Sequence, residues 1–145
     1  MKTISILLLA LFLGKGCSEA QKNALEKTVL QYEANTRGFY QKITINNQIV
    51  MVNNDRDGRE KPTSIKISDK NWKELQLLFK DVKLDGLAKL KDPTQKRFYD
   101  GAAIATFYVK HLEKEYQTTE FDNGFPPAEI EKIVNKIIEI SKTKK

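Results

Sequence analysis

An apolar run that stops at a single cysteine decides how much of this chain is available to fold. Lys2 precedes a largely apolar stretch, Ile4–Leu13, which gives way to Gly14, Lys15 and Gly16. Cys17 follows, and then the character flips to Ser18-Glu19-Ala20-Gln21-Lys22-Asn23. Ten residues are too few to span a hydrocarbon core as a helix, which takes about 20. A short apolar run with a positive start and small residues before the break is a signal h-region rather than an anchor helix. Cys17 is the only cysteine, so it has no partner within the chain for a disulfide.

This anatomy resembles a bacterial lipoprotein signal. The resemblance implies that Cys17 is acylated and becomes the new N-terminus, with the covalent lipid as membrane anchor. Two or more acyl chains, at about 0.8 kcal/mol per buried methylene, hold a protein to a bilayer where one does not. Gly16 fits the pattern. Leu13 lies one position earlier than usual, and Lys15 stands where an uncharged small residue is usual. An ordinary secretory signal cut nearby, leaving a free thiol, is the alternative. Ser18 and Glu19 are also similar to the surface-export signals of some Bacteroidetes-type lipoproteins. The expectation is an exported protein of the bacterial cell envelope, on the outer membrane. Residues 1–16 would be the signal peptide, 17–27 the lipidated cysteine and tether, and 28–145 a single domain.

Removing 16 residues from the 145 leaves 129, enough for one core. Lys2 and Lys15 leave with the signal, so the net charge falls from +6 to +4. Cations and acids are interspersed, with no basic stripe carrying interleaved aromatics, so nucleic acid is not an expected partner.

Alternation predicts strands at Thr28–Asn35, with Leu30, Tyr32 and Ala34 on one face, and at Phe39–Ile45. Thr36-Arg37-Gly38 would turn between them, with Gly38 free to take a positive φ. Asn46-Asn47 would make a tight hairpin turn into a strand at Gln48–Val52. Asn53–Pro62 reads as a polar loop and Thr63–Ile67 as a short edge strand. Ser68 or Asp69 would cap a helix over Lys70–Val82, with Trp72, Leu75, Leu78, Phe79 and Val82 in one core-facing stripe. Lys96–His111 reads as one long strand, bulged at Asp100-Gly101. Glu115–Phe121 follows as a strand, then a turn at Asp122-Asn123-Gly124. Pro127 would open a last helix carrying Ile130, Ile133, Val134, Ile137 and Ile138. Together these give an α+β domain: an antiparallel sheet of five to six strands packed with two amphipathic helices.

The parts of a catalytic site are missing. His111 is the one histidine, and no serine sits at a strand-to-helix elbow with a base beside it. The expected domain is therefore not an enzyme and carries no cofactor beyond the lipid. One stretch has metal-like spacing. Asn53, Asp55 and Asp57 alternate and Gly58 follows, as at the start of an EF-hand calcium loop. The twelfth place is Ser64 rather than a bidentate acid, so the reading preferred is a turn whose Asn and Asp bond their own backbone.

Three short motifs remain: Arg37-Gly38-Phe39, Arg97-Phe98 entering a strand, and Gly124-Phe125-Pro126-Pro127 before the last helix. With the order of elements over Leu30–Ile140, they resemble the small emfourin-like inhibitors of thermolysin-type metalloproteases. The resemblance implies an α+β fold and, as an alternative function, protease inhibition. The first turn has a single glycine where such proteins usually have two, and no inhibitory residue is carried across. The primary expectation is a lipid-anchored envelope protein with a small non-enzymatic binding or structural domain and a protein partner. Arg37, Phe39, Tyr40 and Phe125 are the candidate partner surface. For Phe125 the competing role is a hydrophobic staple on Ile130, fixing the entry to the last helix.

Overall fold

The computed structural model describes residues 24–143, so Cys17, the signal and most of the tether lie outside the described residues. Seven antiparallel strands form one sheet: β1 (Thr28–Thr36), β2 (Phe39–Asn46), β3 (Ile49–Asn53), β4 (Thr63–Lys66), β5 (Ile104–His111), β6 (Lys114–Gln117) and β7 (Phe121–Asp122). Two helices, α1 (Asp69–Lys80) and α2 (Glu131–Ser141), complete an α+β fold. The strands lie in the order β4-β3-β2-β1-β5-β6, and β7 pairs with β5.

Alternation decides which face is covered. In β1 every second residue from Thr28 to Ala34 is buried, and the residues between are half-buried. Register then lines up apolar rows across the sheet: Ile65, Val50, Ile45, Leu30, Val109 and Tyr116 in one, Val52, Ile43, Tyr32 and Phe107 in the next. Trp72, Leu75 and Phe79 of α1, and Ile133, Val134, Ile137 and Ile140 of α2, join them in one core. The opposite face presents Gln31, Glu33, Lys42, Thr44, Thr106 and Lys110, the polar side of a sheet covered on one face only. Leu25 is fully buried in the core, three residues ahead of the expected domain boundary.

Ser68 caps α1, its Oγ accepting the Asn71 N–H at 3.3 Å. The two helices are pinned together by Lys136, whose ammonium lies 2.5 Å from Glu74 of α1 and 3.1 Å from Glu139. The hydrogen bond to Glu74 raises the Lys136 pKa against the effect of burial. A cation on this apolar stripe is tolerated because its stem packs while its head is paired.

Five local expectations are corrected. The β2–β3 turn is Asn47-Gln48, one residue later than expected, with φ of 49° and 62°. Asn46 pairs with Ile49, and that register keeps both Ile45 and Val50 on the core face. Gln48 is held in this left-handed conformation by its own amide, which donates to Ile67 O at 2.9 Å and to Asp69 Oδ1 at 2.8 Å. Gly38 does not take a positive φ. The long strand Lys96–His111 is two pieces: Lys96–Tyr99 is a 3-10 turn, and the strand starts at Ile104. No bulge forms at Asp100-Gly101; Asp100, at φ 58°, ends the 3-10 turn instead. Finally, α2 begins at Glu131 rather than at Pro127, after turns in which Ile130 N–H bonds Pro127 O and Glu131 N–H bonds Ala128 O.

Candidate partner surface

The 3-10 turn at Lys96–Tyr99 is organised by a carboxylate 26 residues beyond Lys96. Asp122, on β7, is fully buried. Its Oδ2 accepts from Thr94 Oγ1 and from Lys96 N–H, each at 2.6 Å. Its Oδ1 accepts from Arg97 N–H and Arg97 Nη1, each at 3.1 Å. Burial alone would push the Asp122 carboxyl up, but these four donors outweigh it and hold the pKa at about 2. Arg97 Nη1 also lies 2.8 Å from Asp92, as an ion pair outside good hydrogen-bond geometry. Burial would lower the Arg97 pKa, and the two carboxylates reverse that. Folding the backbone of 94–97 around one buried anion leaves the next two side chains with nowhere to go but outward. Phe98 is 71% exposed and Tyr99 is 72% exposed.

The same end of the sheet holds the expected surface residues. Asn35 of β1 pairs with Ile104 of β5, which pairs with Asp122 of β7. The β1–β2 turn, the start of β5 and the turn after β7 are therefore neighbours. Arg37 is exposed at the tip of the first hairpin, and Phe39 beside it is 41% exposed. Tyr40 lies half-buried on the polar face with the Arg56 guanidinium 5.7 Å from its ring centroid. Burial and then Glu33 push the Tyr40 hydroxyl up, against Arg56. Phe125 is 41% exposed and stands outside the core cluster. Pro126 and Pro127 are buried ahead of α2, and Phe125 carries Lys96 Nζ 4.0 Å above its ring. Its turn is fixed from below by Tyr32, whose buried hydroxyl donates to Asn123 Oδ1 at 2.6 Å. Burial pushes that hydroxyl up to about 12, against a hydrogen bond from the Gly124 backbone. Gly124 itself needs its φ of 88° to close the turn.

Asn53, Asp55 and Asp57 form a self-bonded turn. Asn53 Oδ1 accepts from Asp55 N–H, and the Asp55 carboxylate accepts three backbone N–H groups, from Asp57, Arg59 and Glu60. Those bonds hold the Asp55 pKa below the usual range. Among the described residues no three acidic, histidine or cysteine side chains gather as metal ligands. Arg56 uses this turn as a platform: its Nη2 donates to Thr36 O at 2.8 Å, clamping the loop to the first hairpin.

His111 is occupied structurally. Thr28 Oγ1 lies 2.6 Å from Ala24 O and 2.7 Å from His111 Nδ1, so one hydroxyl links the strand start to the ring. The ring rests on Phe79, 5.8 Å away between centroids.

The sequence singles out Arg37, Phe39, Tyr40 and Phe125 as a candidate surface; the exposed pair Phe98 and Tyr99, and the cations Lys96 over Phe125 and Arg56 over Tyr40, emerge only from the structure. The run Arg97-Phe98-Tyr99 has strand composition, and only its link to Asp122 marks it as a turn. Compared with known proteins, the chain matches no family model, no curated protein and no solved structure.

Proposed function

We propose that this is a lipid-anchored protein of the bacterial cell envelope whose folded part is a small, non-enzymatic binding module, attached through Cys17 and carried on the outer membrane. The observation that supports binding is the aromatic pair Phe98-Tyr99, exposed on a turn that a buried ion network ties to β7. Monomeric proteins seldom leave two adjacent large aromatics in water, and rigid aromatics are the usual anchors of interfaces. Non-enzymatic use is supported by the fate of the buried titratable groups. Asp122, Lys136 and Tyr32 are each consumed by bonds that hold elements together. The module as proposed needs no cofactor and no calcium.

Full-length protein is expected to fractionate with membranes and to incorporate labelled fatty acid, and Cys17→Ala is expected to abolish the label. Wild-type protein that stays soluble and unlabelled would remove the anchor from this reading.

Inhibition of a thermolysin-type metalloprotease is the second reading. What favours it is that an inhibitor must present an exposed surface segment, and Lys96–Tyr99 carries two exposed aromatics on a 3-10 turn tied to Asp122. It predicts micromolar inhibition by the folded protein, weakened by Phe98→Ala. An unchanged protease rate at that concentration would sink it.

A further inference from the structure

Asp100, which follows Phe98-Tyr99 in the chain, lines an open hollow of ≈ 590 Å³ together with Asn35, Thr36, Arg37, Arg56 and Ile104. Two of its lining residues are arginines, Arg37 and Arg56. Arg37 makes no ion pair among the described residues, and Arg56 spends only its Nη2 on backbone carbonyls. Three N–H donors of Arg56 are left, and all of those of Arg37. The floor includes the apolar Ile104, and the single acid in the lining is Asp100. Lys96 stands over Phe125 nearby, and the Asp100 segment is tied to it, Gly101 N–H bonding Lys96 O at 2.8 Å. Within the lining two arginines therefore stand against one acid, beside an apolar residue.

Resting on the anchored-module reading, we infer that this hollow binds an acidic segment of a partner protein, with a carboxylate between Arg37 and Arg56 and an apolar side chain against Phe98 and Tyr99. A planar guanidinium is matched in geometry to a carboxylate, and two of them facing one hollow favour an anionic ligand over a neutral one. The position in the fold suits a protein partner rather than the anchoring bilayer. The tether joins at Ala24, next to the start of β1, whereas the hollow sits at the other end of that nine-residue strand. Eight strand steps separate the two ends by about 26 Å. Seven residues link Cys17 to Ala24 and reach at most about 25 Å. The hollow is thus on the side away from the point of attachment, where a second protein can approach.

The test uses the full chain in detergent and a fluorescein-labelled hexapeptide of alternating Asp and Phe, followed by anisotropy, with Asn replacing Asp in the control peptide. The acidic peptide is expected to bind and the neutral one to bind more weakly, with the difference shrinking at high salt. Arg37→Ala, an exposed change, is expected to weaken acidic-peptide binding about fivefold, and Asp100→Asn to tighten it about threefold. Asn is a suitable replacement because it tolerates the left-handed conformation there. Phe98→Ala should weaken binding of both peptides. Equal binding of the two peptides, no binding of the acidic one, or indifference to both Arg37→Ala and Asp100→Asn would overturn the inference. So would Arg37-dependent binding to phosphatidylglycerol vesicles without binding to the peptide. Cys17→Ala separates the two claims: it should lose the membrane fraction and keep the peptide. Wild-type protein that binds the peptide but carries no lipid would leave the site standing and remove the anchor alone.

Discussion

Ile133→Asp is expected to abolish the cooperative melt of this protein at room temperature. Ile133 is 2% exposed on α2, in the cluster that joins this helix to the sheet and to α1. Losing the isoleucine forfeits about 1.5–3 kcal/mol of apolar burial. On the same buried face of α2 the cation Lys136 is already shared by Glu74 and Glu139. A buried, unpaired carboxylate adds several kcal/mol more, or stays neutral at a similar penalty. Together these approach the whole stability of a domain of this size, about 5–15 kcal/mol. Asn135→Asp is the matched control, because Asn135 is exposed on the same helix. It should shift the melt by no more than about 0.5 kcal/mol. Circular dichroism of the two variants checks both, and a native-like melt for Ile133→Asp would mean that α2 does not pack as described.

How legible that core was depends on which kind of signal each element carries. Leu30, Tyr32 and Ala34 alternate, and a strand with one covered face buries every second residue. Trp72, Leu75 and Phe79 recur at helical spacing, and α1 buries those three. Both signals are local, and both were readable. The turn at Asn47-Gln48 was displaced by one residue because Asn is favoured in left-handed backbone and Gln is not. The choice was made by the register of Ile45 against Val50 and by the Gln48 amide reaching Ile67 and Asp69, around 20 residues away. Phe121 and Asp122 form a strand of their own, apart from β6, because Thr118 breaks the run. Its Oγ1 accepts the Phe107 N–H and its own N–H bonds Phe107 O. The candidate site was half legible for the same reason. Arg37 and Phe125 lie beside glycines that mark turns, while Phe98 and Tyr99 lie in a run that composition alone assigns to a strand. What turns that run outward is an anion more than 20 residues later, and periodicity carries no trace of it.

Asp122→Asn is accordingly expected to strike both the stability of the fold and the presentation of its exposed aromatics. The substitution keeps the shape and one oxygen but places an NH2 group where a carboxylate oxygen received Thr94 Oγ1 and Lys96 N–H. Donor then faces donor, and Arg97 keeps only Asp92 as counter-charge in a site where its side chain is 9% exposed. Removing one member of a buried ion pair typically costs about 3–5 kcal/mol. That should lower the thermal midpoint by more than about 10 °C. The pH dependence has a definite sign. The folded carboxyl titrates at about 2, below its ordinary value of 3.8, so its contribution is complete above pH 4 and is lost as the pH falls from there through 2. Wild-type protein should therefore lose stability across that window, and Asp122→Asn, which has no proton to gain, should show a shallower acid dependence from a lower starting point. If the network also holds Lys96–Tyr99 rigid, the variant should bind the acidic peptide more weakly even at a temperature where it remains folded, because the aromatics then have to be ordered on binding. A variant as stable as wild type with the same acid profile would show that the buried carboxylate is not what holds this turn. A destabilised variant with undiminished peptide binding would keep Asp122 as a structural anchor and separate it from recognition.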